Sequence, residues 1–351
     1  MRSRQALLAE LARTALQLLI VGLALYLVWE LLSRIWLVTV AVLAALLFTA
    51  LLQPAADRLR RWHLPRWLAT VAALLGGFVL LLTPLALAGS RAAGQVPALA
   101  SNLQQGLGQA RSLLVDGPAH LAPAQVDDLV RQAQDALGQA ARSTFGQPLS
   151  AVTNVLSLLA GVILAIFILF FLMYDGQRVW QWMVGLWPAD RRSVVEAAGG
   201  AAWTTLVGYV HGVLAVALID GVLIGLGLLL LGVPLALSLA ALTFIGAFVP
   251  LIGATVSGLL AVAVAFLSGG LTTAAFVLLL VLGVQQVEGN LLQPLIMRRA
   301  VNLHPLATLL AVAAGSLLAG IVGAVLAVPA VAVTRAALAA LRHDLASKGD
   351  G

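Results

Sequence analysis

Residues 206–231 read LVGYVHGVLAVALIDGVLIGLGLLLL. A helix needs about 20 mostly apolar residues to cross the hydrocarbon of a bilayer, and this run has that length. It carries a single carboxylate, Asp220, close to its centre. A soluble core helix is not this long and apolar, so residues 206–231 read as a membrane span with one acid inside it.

Working outward, the same reading applies along the chain. Further apolar runs are Leu16–Trp29, Ile35–Leu52, Trp67–Gly89, Ala151–Met173 and Leu271–Val287. The first is short and needs a flanking turn to span. Two runs, Pro234–Leu267 and Pro305–Ala337, exceed thirty residues and are too long for one comfortable span. Gly246, Pro250 and Gly253 interrupt the first; Gly315, Gly320 and Gly323 interrupt the second. Gly and Pro there predict the tips of re-entrant hairpins. Two long tilted or kinked spans are the alternative.

Composition agrees. The chain is 62% hydrophobic and 10% charged, against roughly 45–50% and about 25% in soluble domains. A mean hydropathy of +1.04 excludes a soluble globular protein and a disordered one. Cysteine is absent, which excludes thiolate metal sites, disulfides and cysteine nucleophiles. The net charge of +6 would suggest nucleic acid, but the arginines are scattered between apolar runs and form no basic stripe. Arg2, Arg4 and Arg13 precede the first run without a small-residue cleavage site after it, so it reads as a membrane helix rather than a signal peptide.

Basic residues choose between the topologies. With the N-terminus inside, eight single spans divide them 13 inside and 7 outside. Two hairpins move Arg298 and Arg299 inside and give 15 against 5. The hairpin arrangement obeys the positive-inside rule better. The fold class is therefore an all-α integral membrane protein. It has about six full transmembrane helices plus two long broken elements, either re-entrant hairpins or two further spans giving eight. Both termini are expected in the cytoplasm.

The polar excursion 91–150 has apolar positions at helical spacing (Leu99, Leu103, Leu107; Val126, Leu129, Ala133) around Asp116-Gly117-Pro118. It reads as an extracytoplasmic amphipathic helical hairpin. The expected organisation is a three-helix membrane region over 1–90, this excursion, a membrane helix over 151–174, a cytoplasmic interfacial segment over 175–204, a transport core over 205–340 and a tail over 341–351. In the interfacial segment Trp180, Trp182 and Trp187 lie near Arg178, Arg191 and Arg192, a mixture suited to the headgroup layer.

No nucleotide-binding or hydrolase motif is present, and the five histidines have no ligand spacing. No catalytic residue, metal site or cofactor is expected. The informative groups are polar side chains at hydrocarbon depth, which are costly there unless compensated. Asp220 is the first. His211, nine residues earlier, falls on the opposite helix face and is a weaker candidate. The second cluster is Gln285-Gln286-Val287-Glu288-Gly289-Asn290 with Gln293. Gln286, Asn290 and Gln293 share a face at i, i+4 and i+7, and Glu288 sits at a helix end near the lipid boundary. Asp220 and Glu288 are candidates for a coupling proton or monovalent cation. Gln285, Gln286, Asn290 and Gln293 are candidates for binding a small polar solute. Gly208/Gly212 and Gly221/Gly225 allow close helix packing, and with the excursion they offer surfaces for a homo-oligomer. Glu30 and Arg34 form an i,i+4 interfacial pair. Asp57 with Arg58, Arg60 and Arg61 reads as a solvated cytoplasmic turn.

Several motifs together resemble the autoinducer-2 exporter family of bacterial membrane proteins. They are Leu64-Pro65-Arg66, Phe170-Phe171-Leu172-Met173-Tyr174-Asp175-Gly176, Gly232-Val233-Pro234-Leu235 and Val249-Pro250-Leu251-Ile252-Gly253-Ala254. Most specific is Gln285-Gln286-Val287-Glu288-Gly289-Asn290 with Gln293-Pro294 and Leu303-His304-Pro305. Leu251, Arg298 and Val213 depart from the family's usual residues. The resemblance implies a polytopic transporter of the bacterial inner membrane. Some members are linked to export of autoinducer-2, others to sodium or proton antiport. The expected function is secondary transport, with Na+(Li+)/H+ antiport or a membrane scaffold as alternatives.

Overall fold

The computed structural model describes residues 34–86, 88–90, 148–249, 252–292 and 304–349, with scattered positions between 13 and 31 and between 128 and 132. Among them every regular element is helical. The elements are α1 (Trp36–Arg61), α2 (Arg66–Ser90), α3 (Pro148–Gly185), α4 (Arg192–Leu230), α5 (Ala236–Gly246), α6 (Ile252–Val287) and α7 (Pro305–Gly349). A 3₁₀ turn, Ala189–Arg191, precedes α4, and a π-turn, Glu288–Leu292, extends α6. Six stretches are long and apolar enough to cross a membrane: Trp36–Arg61, Arg66–Ser90, Leu159–Gly185, Ala189–Leu230, Gly253–Leu292 and Leu306–Arg342. Their outward faces carry exposed leucine, valine and phenylalanine, which lipid covers. This is an all-α integral membrane protein. The expected span Leu16–Trp29 is described at only half of its positions, helical where it is, and the excursion 91–150 lies almost wholly outside the described residues.

Two of the long stretches fold back on themselves. A straight helix would hold residues 258 and 281 about 35 Å apart. Yet a Cβ placed on Gly258 would lie 2.8 Å from Val281 Cγ1. The reversal is at Gly270, whose φ of 71° and ψ of −167° leave the helical region; positive φ suits a residue without Cβ. In α7, a Cβ on Gly315 would lie 2.9 Å from the Ala327 Cβ, although twelve helical residues span about 18 Å. Ala319 and Gly320 make that turn, with Gly320 at φ 59°. A third reversal joins α5 to α6. There Gly246 and Gly253 cross so closely that a Cβ on Gly246 would meet the Gly253 carbonyl oxygen at 3.0 Å.

Helix α4 is the axis of the fold. It ends at a capped turn, with Val233 N–H donating to the Leu228 carbonyl at 2.9 Å and Gly232 N–H to Leu229 at 3.1 Å. This is the Schellman pattern, and Gly232 supplies the left-handed residue it needs at φ 65°. Val233 and Leu228 meet in the apolar cluster that joins α4, α5 and both arms of α6. A second cluster puts Tyr209, Val210 and Val213 of α4 against Val312, Ala324 and Val328 of α7. A third joins α1, α2 and α3 through Leu52, Ala56, Leu74, Leu169 and Met173.

The segment after residue 174 continues as helix across a kink. Asp175, at φ −137°, kinks α3, and the chain then runs back beside α4, with the Trp180 ring against Gly199. Arg192 donates to the carbonyls of Gly185 and Trp187 at 3.1 Å each, which closes that turn.

Candidate functional site

Five polar or charged residues are buried among the described ones: Thr49, Thr70, Asp220, Thr243 and Ser257. Three of them line one cavity. Asp220 comes from α4, Thr243 from α5, and Ser257 from the first arm of α6, while Gln285 and Glu288 enter from the end of the second arm and the π-turn. Apolar walls are supplied by Ile224, Ala254, Gly258, Val281 and Val284. The cavity measures about 20 Å³, and about 10–15 Å³ suffices for one water. It admits one water-sized guest.

Local sequence explains how the groups meet. Gly221 and Gly225 present a bare strip of α4 to α5. A Cβ on Gly225 would press to 2.8 Å from the Ala240 Cβ, and one on Gly221 would lie 3.3 Å from the Ala240 carbonyl oxygen. That approach brings Thr243, one turn further along α5, beside Asp220. The Gly246–Gly253 crossing then returns the chain so that Ser257 faces the same space. The reversal at Gly270 brings Glu288 back to the level of Ser257.

Asp220 is 5% exposed. Its carboxyl hydrogen-bonds to that of Glu288, and its Oδ1 is buried without a hydrogen-bond partner. Ionised carboxylates are acceptors only, so a bond between two carboxyls needs a proton on one of them. Thr243 Oγ1 donates to the Leu239 carbonyl at 2.9 Å, and Ser257 Oγ to Ala254 at 3.4 Å. Gln285 is exposed and stands at the rim.

The remaining sequence candidates are placed differently. Gln286 and Asn290 bond each other at 3.0 Å on an exposed face and do not line the cavity. His211 Nδ1 pairs with the Val207 carbonyl at 2.8 Å, also away from it. Gly253 belongs to the crossing above Ser257, while Gly315 and Gly320 belong to the α7 reversal. Pro250 and Gln293 lie outside the described residues. Glu288, expected at a helix end, does follow the end of α6, and there it is half-buried against Asp220. A wider open trough of about 760 Å³ runs along one face of α7 past Val331, Arg335, Leu338 and Arg342. It follows a single helix face and carries no carboxylate, so it is a surface groove remote from the acidic pair.

A second polar group differs from the solvated turn expected around Asp57. Arg60 reaches across to α3, where its Nη2 donates to the Met173 carbonyl at 2.6 Å and to Thr70 Oγ1 at 3.3 Å. Its Nη1 donates to Asp57 at 3.1 Å. The Met173 carbonyl, two residues before the Asp175 kink, thus accepts from a side chain of α1. The Glu30–Arg34 pair forms as expected, at 3.1 Å.

The family profile described as AI-2E family transporter matches residues 16–343. The chain belongs to the AI-2E family. Among relatives, MT0215 of Mycobacterium tuberculosis is 42% identical over 315 residues, 90% of this chain and 86% of its own length. YueF of Bacillus subtilis is 35% identical over 189 residues, 54% of this chain and 51% of its own. YrrI of the same organism is 30% identical over 220 residues, 63% and 60% respectively. All three are named for transport. With the helical architecture, membership makes this chain a multi-pass membrane transporter.

Proposed function

We propose that this AI-2E family member is a secondary active transporter. It exports a small polar solute, of which autoinducer-2 is the type the family description suggests, coupled to a proton or sodium gradient across a bacterial inner membrane. The observation that carries the reading is Asp220. An acid placed at hydrocarbon depth is costly unless it pairs or serves a pathway. Here it pairs with a second acid and still leaves Oδ1 unmatched in a cavity. The close approach of Gly246 to Gly253 and the reversal at 319–320 support re-entrant hairpins. The eleven residues of α5 cover about 16 Å, too little for a bilayer. Broken helices that meet near the midplane are the usual site of solute and coupling-ion binding in such carriers.

In this scheme Asp220 and Glu288 hold the coupling ion, and Gln285, with Gln286 and Asn290 beyond it, faces the solute. Both termini lie in the cytoplasm, and copies of the chain associate through the glycine-rich helix faces. A second reading, Na+(Li+)/H+ antiport without an organic solute, is favoured by one observation: the cavity holds only a water-sized guest. Reconstitution into liposomes with imposed proton and sodium gradients tests both. Gradient-driven solute flux that Asp220→Asn abolishes supports the exporter. Sodium-dependent pH change with no solute supports the antiporter. Ion-coupled transport that persists in Asp220→Asn removes Asp220 from the mechanism.

A further inference from the structure

Helix α1 covers 26 residues, about 39 Å at 1.5 Å per residue. That exceeds the roughly 30 Å hydrocarbon core and approaches the thickness of a bilayer with its headgroups. Trp36 and Trp62 mark its two ends, 42% and 72% exposed, as aromatic belts mark the ends of a span. Trp67, in the first turn of α2, is also exposed. Only residues 62–65 link the two helices, too few to stand clear of the lipid surface, so this turn lies among headgroups.

Arg58, Arg61 and Arg66 are exposed there and make no hydrogen bond or ion pair among the described residues. Arg60 differs, because it turns inward to Met173 and Asp57. The acids within reach are already engaged: Asp57 also accepts from Gln53 at 3.2 Å, and Asp175 pairs with Arg178 at 3.2 Å. No acidic residue follows Asp57 until Asp116. Three guanidiniums are thus left unneutralised around one turn. His63 takes the left-handed position after α1 at φ 65°, where glycine is usual, and holds an exposed ring in the same turn.

We infer that the α1–α2 turn binds an anionic phospholipid carrying two phosphates, with Arg58, Arg61 and Arg66 as the phosphate ligands and Trp62 and Trp67 against its glycerol and upper acyl region. Guanidinium forks donate paired hydrogen bonds to phosphate oxygens, and basic surfaces beside membrane helices take lipid headgroups of this kind. A headgroup with one phosphate leaves most of the positive charge of the turn unmatched; two phosphates on one headgroup answer it more closely. A soluble polyanion would match the arginines and leave the tryptophans in water, whereas a lipid uses both. The site stands apart from the acidic cavity and is independent of which solute or ion the protein carries.

The test titrates the purified full-length protein, in an uncharged detergent, into fluorescent cardiolipin and follows anisotropy. Saturable binding is expected. Unlabelled cardiolipin should compete better than phosphatidylglycerol at equal phosphate, and inorganic pyrophosphate should compete poorly. Arg61→Gln and Arg66→Gln should each weaken cardiolipin binding about fivefold, the effect of one arginine at a lipid surface. Arg335→Gln removes the same charge from an exposed position on α7 and should leave binding unchanged. All three side chains are exposed, so each variant should melt as the parent does in lipid-free detergent, and the two turn variants test the site independently. Trp62→Ala should weaken cardiolipin binding without altering the weak competition by pyrophosphate. Wild-type binding by both turn variants, or an equal loss in Arg335→Gln, overturns the site. Equal competition by phosphatidylglycerol overturns the two-phosphate headgroup. Competition by pyrophosphate as strong as that by cardiolipin would assign the turn to a soluble polyanion and overturn the lipid.

Discussion

Arg60→Ala removes three contacts of unequal worth. The Asp57 pair bridges groups whose side chains are 25% and 45% exposed, and such pairs contribute about 0–1 kcal/mol. The bond to Thr70 is long at 3.3 Å, and Thr70 also has its own backbone acceptor in Arg66. The bond to the Met173 carbonyl is different. It is short, 2.6 Å, its donor is charged, and Met173 is 1% exposed. A charge-assisted bond contributes roughly 1.5–3 kcal/mol. Arg60→Ala should therefore destabilise by about 2–4 kcal/mol, and Asp57→Ala by under about 1 kcal/mol. Thermal unfolding in detergent, with limited proteolysis in the 176–205 segment, reads the difference. The bond ties α1 to the kink that launches that segment, so cleavage there should quicken in Arg60→Ala alone. If Asp57→Ala costs as much as Arg60→Ala, the ion pair dominates and the carbonyl argument is refuted.

Two further substitutions probe the reversals. Gly253→Ala would drive a Cβ into the Gly246 carbonyl and to 2.6 Å from its Cα. The crossing must open, which should cost about 1–3 kcal/mol or more and reduce transport. Gly246→Ala meets its nearest atom at 3.0 Å and should be the milder of the two by melting temperature. Gly320→Ala has open space around its Cβ but sits at φ 59°. Its penalty should be purely conformational, about 1 kcal/mol, and Gly320→Asn should cost less, since Asn tolerates that region; equal or larger losses for Asn would show that space, not φ, is limiting.

Much of this architecture is legible in the sequence because lipid demands long apolar runs, and such runs survive any tertiary arrangement. The two over-long runs, broken by glycine, announce a change of direction for the same reason. The turn at Gly270 is legible as a boundary, since one apolar run ends at Leu267 and the next begins at Leu271; which side chains the returning arm meets is not. The pairing of Glu288 with Asp220 depends on where that arm lands, which the sequence does not state. Asp220 stands out because an acid in an apolar run has few excuses. Thr243 and Ser257 do not, since hydroxyls in apolar helices commonly bond back to their own backbone, and both do so here. The role of Arg60 is hidden as well. Nothing in Asp57-Arg58-Leu59-Arg60-Arg61 marks which arginine turns inward; that depends on a carbonyl 113 residues away.

Helix α4 runs its 39 residues without a non-helical break, about 58 Å at 1.5 Å per residue. The α7 reversal rests on its Tyr209–Val213 stretch, and α5 and α6 rest on its Gly221–Gly227 stretch. An unbroken rod with a load on each flank acts as a common axle. A roll of α4 would therefore move both loads together and shift Asp220 relative to Glu288.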